Sequence, residues 1–132
     1  MTPGQPEFLS LEEILAIHLD QTQRYGGSQA VRDMGLLQSA VAMPAATFGG
    51  QLLHADIFEI AAAYVYHLVQ NHPFIDGNKR VGAVAADVFL ALNGVELVAG
   101  QDDYASLVLS VAQGTLAKPD IASFFRSNTK PK

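Results

Sequence analysis

Two apolar helical segments on either side of Pro73 constrain the fold of this chain more than any other feature. In the first, apolar residues recur at steps of three and four after a capping residue, which predicts a helix over Asp56–Asn71. Pro73 disfavours a helical conformation in the residue before it and so ends that helix. A second helix is predicted over Gly77–Leu92, and its first part carries unusually small residues: Gly82, Ala83, Ala85 and Ala86. Because small residues let another helix approach closely, we place this helix at the centre of the fold.

Four further helices follow from the same spacing of apolar residues. The first is predicted over residues 11–25, where a capping box precedes the apolar run. The second is predicted over Met34–Met43, with a proline directly after it. A fifth helix is predicted over residues 104–114, and a short sixth over Asp120–Arg126.

The segments between these helices are short. Paired glycines within residues 45–53 predict a mobile loop or a small hairpin, and residues 95–98 predict an extended stretch. Residues 127–132 are expected to form a frayed tail. The sequence therefore predicts an all-α chain, a single compact bundle of about six helices with a small loop or hairpin flap. One domain is expected over residues 1–132, with its core at about residues 8–126.

Composition excludes several classes of function. The chain has 8 Lys and Arg against 13 Asp and Glu, a net charge of −5, which argues against a general nucleic-acid binder and against a ribonuclease. It has no Cys, which excludes disulfides and thiolate chemistry and favours a cytoplasmic location. No apolar run approaches the ~20 residues that span a bilayer, so no membrane association is expected.

The segment His72–Arg80, between the two central helices, carries the chemistry. Gly77 permits a sharp turn at the start of the second helix, whose first amide groups then have no intrahelical partners. Together with the helix dipole, these amides form an anion site. Lys79 and Arg80 add positive charge at the same end, where a bound polyphosphate would compensate it.

Two further residues of this segment complete a reactive set. Asp76 is a candidate magnesium ligand, because Mg²⁺ takes one or two carboxylates together with phosphate oxygens. Histidine is the residue type whose unperturbed pKa suits proton transfer near neutral pH, so His72 is the candidate base. A base, a metal ligand and a phosphate cradle together indicate transfer of a phosphoryl or nucleotidyl group to a hydroxyl.

Each of these residues also has a structural explanation. Phe74 is expected to be a core anchor that pins the loop. Asp76 and Asn78 could be turn and cap residues, and the two cations could form a solvated helix face. A single histidine such as His72 is more often structural than catalytic. The joint occurrence of all of them favours the chemical interpretation.

The string HPFIDGNKR resembles the signature H-x-F-x-[DE]-G-N-x-R of the Fic/Doc superfamily. Similarity to its death-on-curing (Doc) branch covers about residues 8–126. The resemblance implies that His72 is the base, Asp76 the Mg²⁺ ligand and Phe74 the loop anchor, with ATP as substrate. It also implies a phosphate cradle of four consecutive residues: Gly77, Asn78, Lys79 and Arg80.

Two positions distinguish branches of the superfamily. Adenylyl-transferring members usually have Gly where this chain has Lys79 and Arg where it has Ala83. Both departures resemble Doc, which implies a reversed nucleotide pose with the γ-phosphate facing the acceptor hydroxyl. The implied function is that of a toxin of a toxin–antitoxin pair that phosphorylates a threonine of elongation factor Tu and stops translation. The alternatives are an adenylyltransferase with the same residues and a catalytically silent binding module.

The resemblance also bears on regulation. Fic proteins with built-in inhibition carry [ST]-x-x-x-E-[GN], and no Glu of this chain has Ser or Thr four positions before it. A separate antitoxin acting in trans is therefore implied. We expect part of it to fold as a helix into a groove beside the His72–Arg80 segment, here called the active loop. This groove is lined by the exposed side of the first helix and by the Thr47–Leu53 segment.

Overall fold

A computed structural model describes residues 5–132, so the first four residues of the expected domain lie outside it. Across residues 5–132 the chain forms six α-helices and two pairs of short antiparallel strands. The helices are α1 Leu11–Tyr25, α2 Met34–Ala42, α3 Ile57–Asn71, α4 Asn78–Leu92, α5 Gln101–Ala112 and α6 Lys118–Ser127. The strands are β1 Thr47–Phe48, β2 Gln51–Leu52, β3 Val95–Leu97 and β4 Thr129–Pro131. The predicted all-α class with about six helices is confirmed, and within the described residues no helix is long and apolar enough to cross a membrane.

The first three helices begin at the capping residues that the sequence indicates. The backbone N–H of Glu13 donates to Ser10 Oγ (3.1 Å), and the backbone N–H of Ser10 donates to Glu13 Oε1 (3.0 Å), which completes a capping box. Asp33 accepts a 2.9 Å hydrogen bond at the start of α2, and Asp56 accepts one of the same length at the start of α3. Local chemistry therefore sets where these helices begin.

Helices α3 and α4 form the centre of the core. Eight residues of α3 are buried, and the buried face of α4 includes Gly82, Ala85 and Ala86. A Cβ atom added at Gly82 would lie 2.9 Å from Cγ2 of Val69 and 3.4 Å from the carbonyl oxygen of Val65. The two backbones therefore approach too closely for a larger residue, and the predicted central position of the small-sided helix is confirmed.

The Thr47–Leu53 segment forms a hairpin rather than an irregular loop. Thr47 pairs with Leu52, and the turn consists of Gly49 and Gly50 with φ values of 60° and 81°. Positive φ at both turn positions is the geometry that glycine favours in a two-residue hairpin. Phe48, directly before the turn, is 83% exposed, which leaves an apolar side chain at the tip of the hairpin.

The expectation of a frayed tail over residues 127–132 is wrong. Ser127 belongs to α6, and β4 pairs antiparallel with β3 in the register Val95–Pro131, Glu96–Lys130 and Leu97–Thr129. The backbone N–H of Lys132 also donates to the carbonyl of Gly94 (3.0 Å). Pairing with a distant extended segment supplies the backbone partners that the tail lacks by itself.

Candidate active site

Six of the seven residues that the sequence singles out line one cavity at the junction of α3 and α4, and the seventh, Phe74, is buried beneath it. The chain leaves α3 at His72 in a left-handed conformation (φ 51°, ψ 53°) and enters α4 through Gly77 (φ 87°, ψ 12°). The cavity encloses about 390 Å³, and its lining includes His72, Asp76, Gly77, Asn78, Lys79 and Arg80. Its other lining residues are Val69, Ile75 and Ala112. The structure therefore brings together the predicted base, metal ligand and cradle.

The side chain of Asn78 connects two other residues of the loop through three hydrogen bonds. Its Oδ1 accepts from the backbone N–H of Phe74, and its Nδ2 donates to the carbonyl of Phe74, both at 2.9 Å. The same Nδ2 lies 3.1 Å from Nδ1 of His72. Because Nδ2 can donate but not accept, Nδ1 of His72 is the acceptor. A neutral His72 ring in this position therefore carries its proton on Nε2.

Phe74 occupies the position of a loop anchor. Its side chain is fully buried, and its backbone forms a bridge with Val31 in the segment between α1 and α2. The neighbouring His72 is exposed at the edge of the cavity. The loop thus has one buried apolar side chain two positions from an exposed imidazole.

The N-terminus of α4 presents positive charge to the cavity. Among the described residues, no side chain caps the first amide groups of this helix, in contrast to α1, α2 and α3. Lys79 and Arg80 are exposed, and the guanidinium of Arg80 lies over the ring of Tyr25, 5.2 Å from its centroid. Uncapped amides, the helix dipole and two cations make this end of the cavity suited to a polyphosphate.

Asp76 is placed to share a cation with such a phosphate chain. Its Oδ2 accepts a 2.8 Å hydrogen bond from the backbone N–H of Ser28. The described part of the chain donates no hydrogen bond to its Oδ1, so this oxygen fits the role of a magnesium ligand. Within residues 5–132 no three His, Cys, Asp or Glu side chains are grouped to hold a metal by themselves. Mg²⁺ would therefore be held here by Asp76 together with nucleotide phosphates, which is its usual coordination.

Sequence reasoning missed the contribution of Arg32. Its Nε donates to the carbonyl of His72 (2.6 Å) and its Nη2 to the carbonyl of Asn71 (3.0 Å). Its backbone N–H donates to the carbonyl of Pro73 (2.7 Å). Arg32 thus satisfies the last carbonyls of α3 and fixes the backbone of His72. No local sequence pattern predicts this role, because the carbonyls that Arg32 contacts lie about forty positions further along the chain.

His18 lies on the apolar face of the first helix in the sequence, which predicts a partly buried core residue, and the structure places it under the active loop. It is 2% exposed, and its Nε2 lies 2.9 Å from the carbonyl oxygen of Asp76. Its ring stacks on the ring of Phe74 with a centroid distance of 3.7 Å and an interplanar angle of 9°. The spacing on α1 indicated burial but gave no sign of which loop the ring would contact.

A second cluster of basic side chains connects α3 with the start of α6. Nζ of Lys118 lies 3.3 Å from Nε2 of His54 and 3.1 Å from Nε2 of His67. Because an ammonium group only donates, both histidines accept and both rings are neutral. Burial, reinforced by the charge of Lys118, lowers the pKa of His67 to about 4 and also lowers the pKa of His54. Protonation of either ring would remove the lone pair that accepts from Lys118 at the start of α6.

Comparison with known proteins places the chain in a family. A family model described as the Fic/DOC family matches residues 8–90, which include the whole active loop. This chain belongs to the Fic/Doc family. It is 42% identical over 96 residues to a protein named Toxin Doc from Mycolicibacterium smegmatis, covering 73% of this chain and 72% of that protein. It is 30% identical over 118 residues to Protein kinase doc of Escherichia phage P1, covering 89% of this chain and 92% of that protein. Both names fit the predicted Doc branch of the family.

Proposed function

We propose that this protein is a Doc-like toxin that transfers the γ-phosphate of ATP to a hydroxyl of a protein target. The observation that carries this proposal is the exposed His72 at the edge of a cavity whose other wall is the uncapped, positively charged N-terminus of α4. A base next to a phosphate cradle provides what phosphoryl transfer requires, which is positioning and charge stabilisation.

The proposed step is a single displacement. His72 accepts the proton of the target hydroxyl, whose oxygen forms a bond to the γ-phosphorus while the bond from that phosphorus to the β,γ-bridging oxygen breaks, and ADP leaves. In this structure the ring nitrogen with a lone pair is Nδ1. The hydroxyl must therefore replace the bond from Asn78, or the ring must rotate so that Nδ1 turns toward the cavity.

The remaining site residues hold the nucleotide. The amides at the start of α4, with Lys79 and Arg80, neutralise phosphate oxygens as charge develops on the leaving group. Asp76 would hold Mg²⁺, which supplies further charge neutralisation between the phosphates when bound.

Two residues favour transfer of the γ-phosphate over transfer of the adenylyl group. Adenylyl-transferring relatives usually carry an Arg at the position of Ala83. Here Ala83 lines an apolar groove of about 350 Å³ beside the cradle and supplies no charge there. Lys79 stands where those relatives usually have Gly and adds a cation that lines both this groove and the cavity. The name of the phage relative, Protein kinase doc, supports the same choice.

The partners follow from the family relationship. We propose a threonine of elongation factor Tu as the acceptor and an antitoxin that neutralises the protein in trans, both in the cytoplasm. The hairpin β1–β2 offers an apolar surface for this partner, because Phe48 is 83% exposed and Leu53 is 55% exposed. We propose that an amphipathic helix of the antitoxin packs on this surface and blocks entry of the target hydroxyl.

Transfer of label tests the proposed reaction. Purified protein is incubated with elongation factor Tu and with ATP labelled at either the γ- or the α-phosphate, beside His72→Ala as control. We expect label on the factor from γ-labelled ATP and none with the variant. Label from α-labelled ATP would establish the adenylyltransferase instead, and no transfer from either would favour the silent binding module.

Hydrogen exchange tests the antitoxin groove. The protein is measured alone and bound to its proposed antitoxin, the product of a neighbouring gene. We expect the antitoxin to slow amide exchange in residues 10–25 and 45–55 and around His72. Protection confined to α5 and α6 would mean that inhibition works by another route.

A further inference from the structure

We propose that His18 is a positioning residue that fixes the Asp76 carboxylate and the start of α4 for the bound nucleotide. The inference rests on the proposed function, because a Mg²⁺–ATP site is what gives this placement a chemical role. No motif of the active loop contains His18, which lies 58 positions before Asp76.

The hydrogen bond from His18 fixes the backbone of Asp76. Because the carbonyl of Asp76 can only accept, Nε2 of His18 must carry a proton. The ring is therefore the donor of this bond and the backbone carbonyl its acceptor. With 2% of the residue exposed, water has little access to compete for it.

The ring of His18 also supports the two residues that flank Asp76 in space. It stacks on Phe74 with a centroid distance of 3.7 Å. Its Cδ2 lies 3.6 Å from the position that a Cβ atom of Gly77 would occupy. The ring of His18 thus forms a flat, buried surface beneath the loop. The loop therefore cannot move toward α1 without displacing this ring.

Two segments of the chain then determine where the Asp76 carboxylate points. His18 on α1 holds the carbonyl of Asp76, and the backbone N–H of Ser28 holds Oδ2 at 2.8 Å. Fixing both ends of one residue leaves Oδ1 in a constant place at the cavity. Because the Asp76 carboxylate is already held in place, it loses less conformational entropy when the cation and the nucleotide bind.

Two variants separate the hydrogen bond from the packing. His18→Phe keeps a flat ring against Phe74 but removes the donor, whereas His18→Gln restores an N–H near the position of Nε2. His67→Phe, at a half-buried histidine of α3, is the matched control. If His18→Phe does not fold, His18→Leu takes its place, because Leu fills buried space without a donor.

The experiment measures exchange of the Ser28 amide in the free protein and the affinity for Mg²⁺–ATP by calorimetry. We expect His18→Phe to raise Ser28 exchange and to weaken Mg²⁺–ATP binding about tenfold, with ATP binding in EDTA changed less. We expect His18→Gln to recover most of both effects and His67→Phe to change neither.

Each alternative outcome has a distinct meaning. Unchanged Ser28 exchange in a folded His18→Phe or His18→Leu protein would overturn the positioning role. Raised exchange with unchanged Mg²⁺–ATP affinity would overturn the link between that role and the nucleotide. Raised exchange in a chain whose wild type does not bind Mg²⁺–ATP would leave the positioning of Asp76 standing and overturn the proposed function.

Discussion

Nδ2 of Asn78 donates a hydrogen bond to Nδ1 of His72 across 3.1 Å, and this contact determines which nitrogen of the candidate base holds a lone pair. The two bonds between the Asn78 amide and the backbone of Phe74 fix the orientation of the amide, so its NH₂ group must face His72. His72 and Asn78 are thus joined in one hydrogen-bonded unit.

The first prediction concerns the tautomer of His72. In the free protein, at a pH where the ring is neutral, we expect the proton on Nε2 because Nδ1 accepts from Asn78. Nitrogen-15 chemical shifts of the labelled protein distinguish the two tautomers. A neutral ring protonated on Nδ1 would show that the Asn78 contact does not form in solution.

The second prediction concerns the nucleotide cradle. Asp76→Asn keeps an oxygen that can accept from Ser28 but removes the negative charge, so we expect Mg²⁺–ATP binding to weaken with the fold intact. Arg80→Gln removes a cation near the phosphates and should weaken ATP binding by about ten- to a hundredfold. Calorimetry with and without Mg²⁺ measures both effects, and exposed Lys130 on β4 supplies the control Lys130→Gln. Wild-type affinity in Asp76→Asn and Arg80→Gln would reject this site.

The third prediction concerns the contact of α3 with α4. Gly82→Ala would place a Cβ atom 2.9 Å from Cγ2 of Val69, so we expect a loss of about 1–3 kcal/mol in the free energy of unfolding by urea. Adding Val69→Ala should recover part of the loss by making room. Gly35→Ala, whose nearest neighbour would be Asp33 Oδ1 at 3.4 Å, is the matched control. Equal stability of Gly82→Ala and wild type would mean that the helices are further apart than described.

The fourth prediction concerns pH and the cluster around Lys118. Burial and the charge of Lys118 lower the pKa of His67 from 6.5 to about 4, so between these values the unfolded chain binds more protons than the folded one. The free energy of unfolding should therefore be highest above pH 6.5 and should fall by roughly 1–3 kcal/mol toward pH 4. His67→Gln cannot titrate, so its urea stability should fall less over this range. Parallel curves for the two proteins would contradict the shifted pKa.

Local sequence signals predicted most of the fold, and the exceptions share a physical cause. Ser10, Asp33 and Asp56 act on amides within three positions of themselves, so their roles follow from the sequence nearby. The tail is the main exception, because Thr129–Pro131 gains its partners from β3, more than thirty positions earlier. Pairing between distant segments has no local signature.

In the candidate site, too, the sequence predicts the features that are local in the chain and not the contacts between distant segments. The reactive residues are contiguous, so one motif predicts all of them from His72 to Arg80. The side chains that hold them in place come from elsewhere: Arg32 reaches the carbonyl of His72, and His18 reaches the carbonyl of Asp76. A pattern along the chain can indicate that a histidine is buried but not which loop it supports.

Mass spectrometry of elongation factor Tu after incubation with this protein, Mg²⁺ and ATP tests the central proposal most directly. We expect a mass gain of one phosphoryl group on a single threonine, absent with His72→Ala, whose fold should be unchanged because His72 is exposed. A mass gain of one adenylyl group, or an equal phosphoryl gain with folded His72→Ala, would contradict it.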